Sequence, residues 1–184
     1  MSFTRSTLAT AVAASMLLSG AALADVMVGG EAMLPSKNII ENAVNSADHT
    51  TLVAAVKAAG LVETLQGKGP FTVFAPVNAA FAALPAGTVE TLLKPENKTA
   101  LTGVLTYHVV AGRLTYNDLR NQIRAGGGKA MLKTVAGGTL TAEMNGPVNI
   151  IIKDAAGMTA NISVYDVIQS NGVIHSIDRV LMPK

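Results

Sequence analysis

The chain has 184 residues, with 14 Lys and Arg against 12 Asp and Glu, three His and no Cys. At roughly 100–200 residues per domain this length supplies one domain, and 49% hydrophobic against 14% charged residues excludes a disordered polyelectrolyte. Without cysteine there is no disulfide framework, thiolate metal site, Cys nucleophile or bacterial lipid anchor on a cleavage-site Cys, and a net charge of +2 does not mark a nucleic-acid binder.

Met1 to Ala24 reads as an export signal. One charge, Arg5, precedes an apolar run from Leu8 to Leu18, and Ala22-Leu23-Ala24 forms a small-residue cleavage site before Asp25. The run is shorter than the roughly 20 residues a bilayer span needs. The expectation is therefore an exported protein, periplasmic or extracellular, with no membrane span after cleavage. Residues 25–37 read as a flexible lead-in to a domain covering 38–184.

From Asn38 to Leu65 the apolar period is helical. Leu52, Val53 and Val56 share a face, Gly60 stands at a helix C-cap, and Leu61 and Leu65 mark a further turn before Gly67, Gly69 and Pro70. Phe71–Ala75 is a buried strand stopped by Pro76. Asn78 is placed to N-cap a helix over 79–84, and a second helix spans Lys98–Tyr107. Thr115 and Asp118 have capping-box spacing ahead of Leu119 and Ile123. Beyond Gly126–Gly128, six short strand-like runs follow: 130–135, 139–144, 148–153, 159–164, 165–169 and 173–180. Gly- and Asn-rich turns separate most of them, so the class is α+β with an antiparallel meander.

A two-residue turn at Asn171-Gly172 would place Asp166, Ser170 and His175 on one sheet face. Those residue types could support nucleophilic catalysis, with Ser170 attacking, His175 as base and Asp166 orienting the ring. However, no G-x-S-x-G elbow or helix N-terminus accompanies Ser170 to stabilise an oxyanion, so the favoured role for Asp166 and His175 is to pin the hairpin register. His108, after Tyr107 in an apolar stretch, reads as a core histidine. His49, His108 and His175 lack metal-ligand spacing, so neither a metal nor another cofactor is expected. Arg113, Arg120, Arg124, Lys129 and Lys133 share one window with the single acid Asp118. That patch is either a solvated face or a site for an anionic polysaccharide or lipopolysaccharide phosphate; it has no interleaved aromatics for nucleic acid.

Three stretches, in order, resemble the fasciclin-like domain family: Phe71 to Pro85, Leu105 to Leu114 with its Tyr107-His108 pair, and Ser170 to Pro183, which includes Asp178. The resemblance implies a β-wedge of about seven mostly antiparallel strands with helices packed around one edge. It also implies a secreted, non-catalytic role in adhesion or protein interaction, with Tyr107 and His108 in the region linked to partner binding. Asn78, Asp166, Asn171, Gly172, His175 and Asp178 belong to motif positions with a folding explanation. The functional expectation is an exported module that binds a cell-surface protein or polysaccharide. The alternative is a periplasmic carrier or hydrolase for a small apolar ligand.

Overall fold

The computed structural model describes residues 26–183; the expected export signal over 1–24 lies outside the described residues. The expected lead-in is instead largely built. β1 (Val26–Val28) and β2 (Glu31–Met33) pair antiparallel about Gly29 and Gly30, both at positive φ. Val28 and Met33 are buried in the core, and a Cβ on Gly29 would stand 2.6 Å from the Ala47 amide nitrogen. Two three-residue strands carry too little alternation to be read from periodicity alone.

The helical half follows the apolar period. α1 (Ile39–Ala43) opens on a capping box between Asn38 and Glu41. A 3₁₀ turn (Ala47–His49) leads into α2 (Thr50–Ala59), which ends on Gly60 in the left-handed conformation (φ 71°) that glycine adopts without steric cost. α3 (Val62–Gln66) precedes β3 (Phe71–Pro76), after which come α4 (Asn78–Ala82), α5 (Thr88–Leu92) and α6 (Lys98–Tyr107). Val109–Ala111 leaves the helical stretch to form β4. α7 (Tyr116–Ala125) starts from the Thr115–Asp118 capping box, in which side chains at both ends satisfy backbone N–H groups.

β5 (Lys129–Lys133), β6 (Thr139–Asn145) and β7 (Asn149–Lys153) match the meander expected after the glycine run. The runs 159–164 and 165–169 are one strand, β8 (Thr159–Gln169), followed by β9 (Gly172–Ile177). β8 bends at irregularities between Ile162 and Val167, where Asp166 takes φ 54°. Such a bulge absorbs the extra residue without ending the strand.

The seven strands lie in the order β4-β3-β9-β8-β7-β6-β5. All neighbours are antiparallel except β3 and β9, which run parallel from Phe71↔Gly172 to Pro76↔Ile177. The outer strands β4 and β5 meet at a bridge between Val110 and Thr134, so the sheet nearly closes into a barrel. β3 and β9 are covered on both faces, so their residues are buried almost without interruption, whereas β5 and β7 alternate buried and solvent-facing residues. Val73 and Ala75 join the helices in one core cluster, while Phe74 faces the other, formed by α7 and the inner faces of β5 to β8.

Candidate functional site

Near its turn the last hairpin pairs Gln169 with Gly172, Ile168 with Val173 and Val167 with Ile174. Its two-residue turn is therefore Ser170-Asn171 rather than Asn171-Gly172. Glycine is needed at 172 for another reason: a Cβ there would stand 2.2 Å from the Phe71 carbonyl oxygen. The shifted register separates the expected triad. Ser170 is exposed on the turn, while His175 is wholly buried. Asp166 meets His175 through its backbone: its N–H donates to Nδ1 at 3.3 Å, and Nε2 donates to the Leu114 carbonyl at 2.8 Å. The Asp166 carboxylate accepts the first amide of α7, from Tyr116, at 2.7 Å. Burial holds the His175 pKa below the usual histidine value, and Phe74 stacks on its ring. Asp166 and His175 thus tie β8 and β9 to the start of α7, with no nucleophile between them.

Tyr107 and His108 are 1% and 2% exposed, so neither presents a recognition surface. The Tyr107 hydroxyl donates to the Thr139 carbonyl and accepts from the Ala155 amide. His108 donates from Nδ1 to Val104 O at 2.8 Å and accepts the Leu181 amide at Nε2 at 2.9 Å. Complete burial pushes its pKa down to about 4, so the ring is neutral at physiological pH. A residue that ends a helix while facing inward is ordinarily structural, and these two close α6 onto the neighbouring strands and the chain end.

The third histidine forms a contact that spacing along the chain did not reveal. His49 is buried, with Nδ1 2.9 Å from Ser46 Oγ and Nε2 3.4 Å from Ser176 Oγ. Burial lowers its pKa as well. Ser46, His49 and Ser176 line an apolar cavity of only about 40 Å³, lined also by Val28 and Met33. That volume is far below the few hundred Å³ of a small-molecule site, which removes support for an apolar-ligand carrier or hydrolase. Among the described residues no three His, Asp or Glu side chains are grouped to hold a metal ion.

Other motif residues also act as joints. Asn78 does not cap its own helix: its Oδ1 accepts from Thr51 N and Thr50 Oγ1, and its Nδ2 donates to Ala47 O. It therefore caps α2, 27 residues earlier, because the strand–helix turn delivers its amide to that helix end. Asp178 accepts from the backbone and side-chain nitrogens of Asn161. Asp154, which sequence reasoning missed, accepts from the amides of Ala156, Met158 and Met182. Its position before Ala155-Ala156-Gly157 was the available turn signal.

The basic residues remain at the surface. Arg113 and Arg124 are exposed and Arg120 is half-buried, and no carboxylate among the described residues lies within ion-pair distance of these three. Lys129 differs, with Glu143 at 3.8 Å. Arg120 and Arg124 are one turn apart on α7. Arg113 instead borders an open cleft of about 460 Å³ with Asn38, Gln66, Lys68, Ser170 and Asn171. The Arg113 guanidinium is held there by a 2.9 Å bond to the Gln169 carbonyl.

Comparison with known proteins agrees with this architecture. A family model described as "Fasciclin domain" matches residues 47–183. "Protein sll1483" from Synechocystis is 49% identical over 146 residues, covering 79% of this chain and 73% of that protein. Immunogenic protein MPB70 from Mycobacterium bovis is 36% identical, covering 77% and 66% respectively. The solved structure titled "Novel Fold Revealed by the Structure of a FAS1 Domain Pair from the Insect Cell Adhesion Molecule Fasciclin I" matches with a TM-score of 0.69 at 18% identity. The alignment covers 79% of this chain, which spans about half the length of that solved one. With both the three sequence boxes and the seven-stranded mixed sheet in place, the chain belongs to the fasciclin domain family.

Proposed function

We propose that this protein is an exported, non-catalytic adhesion or interaction module whose surface cations engage an anionic polymer at a cell surface. The observation that carries the reading is the division of polar chemistry in the fold. His49, His108 and His175 are buried and bonded internally, while Arg113, Arg120 and Arg124 face outward without ion-pair partners among the described residues. A site built for acid–base or nucleophilic chemistry would need an accessible titratable group, and the cations offer charge instead. The insect structural relative is a cell adhesion molecule, which supports the same class of role.

Binding of labelled protein to intact cells and extracted surface polysaccharide tests this reading at low and high salt. Saturable binding at low salt that falls at high salt, and falls again in Arg113→Glu/Arg120→Glu/Arg124→Glu, is expected. Salt-resistant binding would replace the polymer with a protein partner, and no binding to either preparation would end the adhesion reading.

A further inference from the structure

We propose that the cleft between the Gln66–Pro70 loop and the Ser170-Asn171 turn is a subsite for the carboxylate of an acidic sugar, with Arg113 and Lys68 as its anion grip. The proposal rests on the polymer-binding reading above and deepens it by assigning one sugar unit to one place.

The cleft has the contents that such a ligand requires. Its lining supplies two cations, Arg113 and Lys68, and no carboxylate. Glu41, next to the lining residue Asn38, accepts the Asn38 amide within its capping box. The cleft volume, about 460 Å³, falls within the range of small-molecule sites, and the cleft opens to the surface. Ser170 and Gln66 are exposed polar groups that also line the cleft, suited to hydroxyls of the ring. A carboxylate matches the planar fork of a guanidinium with two parallel hydrogen bonds, which an ammonium cannot reproduce.

The cleft is also preformed, and Asn171 is the reason. Its Oδ1 accepts the Ile39 amide at 3.1 Å, and its Nδ2 donates to Leu65 O at 2.7 Å and Gly67 O at 3.0 Å. Its carbonyl accepts the Phe71 amide at 3.1 Å, and the adjacent Ser170 amide donates to Lys37 O at 2.9 Å. The 37–39 and 65–71 segments that form the walls are thereby fixed to one turn. Arg113 is fixed too, because one guanidinium nitrogen already bonds Gln169 O and the others keep their N–H groups for a ligand. A site whose donors are held before binding loses less freedom when the ligand arrives.

Isothermal titration of the purified protein with tetragalacturonate at low salt, beside neutral maltotetraose, provides the test. Saturable binding of the acidic oligosaccharide alone is expected. Arg113→Ala should weaken it at least tenfold, Lys68→Ala should weaken it to a smaller degree, and Arg113→Lys should fall between wild type and Arg113→Ala. Lys94→Ala should bind the tetramer within about threefold of wild type, since this exposed cation lies outside both the cleft lining and the Arg113, Arg120 and Arg124 set. Unchanged denaturation midpoints for the Arg113 and Lys68 variants keep folding out of the comparison. Equal binding of maltotetraose, wild-type affinity in Arg113→Ala, or no saturable uptake of tetragalacturonate would each overturn the subsite. If the tetramer fails while anionic cell polymer still binds through Arg120 and Arg124, the subsite falls and the wider reading stands. If polymer and tetramer both fail, the two fall together.

Discussion

The imidazole of His108 and the backbone amide of Leu181, 73 residues apart in the chain, meet at 2.9 Å in the interior. Through this bond and the one to Val104, a residue at the end of α6 holds the segment that leaves the last strand. His108→Ala removes both bonds and leaves a void beneath Leu181, so a loss of about 3 kcal/mol is expected in urea denaturation. A loss below about 1 kcal/mol would show that the ring is not a structural joint.

Acid should weaken the fold before most carboxylates titrate. His49, His108 and His175 each have a folded pKa lowered chiefly by burial, to about 4 for His108. The unfolded chain binds protons near pH 6.5 while the folded chain resists them, so stability is complete above that pH and declines below it. For His108 alone the decline between pH 7.5 and 5.0 is about 2 kcal/mol. Urea midpoints at these two pH values measure it, and equal midpoints would contradict the buried neutral rings.

Asn171 and Ser170, neighbours on one turn, should respond very differently to alanine. Asn171→Ala removes three side-chain bonds to separate segments and should cost about 2–4 kcal/mol. Ser170→Ala alters an exposed hydroxyl and should stay within about 0.5 kcal/mol. Thermal denaturation of the pair makes the comparison directly; a costly Ser170 change would argue for contacts that the turn geometry does not contain.

Asn78→Ala should loosen α2 rather than α4. The Thr51 amide loses its acceptor, at an expected cost of about 1 kcal/mol, as for other helix caps. Hydrogen exchange locates the effect: Thr51 should exchange faster while amides inside α4 keep wild-type rates. The reverse pattern would restore Asn78 as the cap of its own helix.

Local features were legible wherever neighbouring residues determine the outcome. Gly60, the Thr115–Asp118 box and the limits of α6 all follow from spacing within one or two helical turns. The resemblance of three boxes added the seven-stranded architecture. What escaped detection depended on contacts over long separations. Asn78 has the composition of a local cap, but its amide meets a helix formed 27 residues earlier. The hairpin register could not be fixed from Asn171-Gly172, because glycine at 172 answers to the carbonyl of Phe71, far away in sequence. The cleft at Arg113 likewise needs the 66–70 loop and the 170–171 turn to converge, and only Arg113 stood out from the charge pattern.

The place of β9 between β3 and β8 has a consequence for the order in which the protein can assemble. When a ribosome has released the chain only as far as Gln169, β3 with β4 and the β5–β8 meander lack the strand that joins them. The six-residue strand β9 supplies the link between them, and its parallel pairing with β3 closes a loop of about one hundred residues, a slow, non-local step. The native sheet therefore cannot form until residues beyond Ile177 have left the ribosome, so everything from β3 to β8 waits unjoined until then.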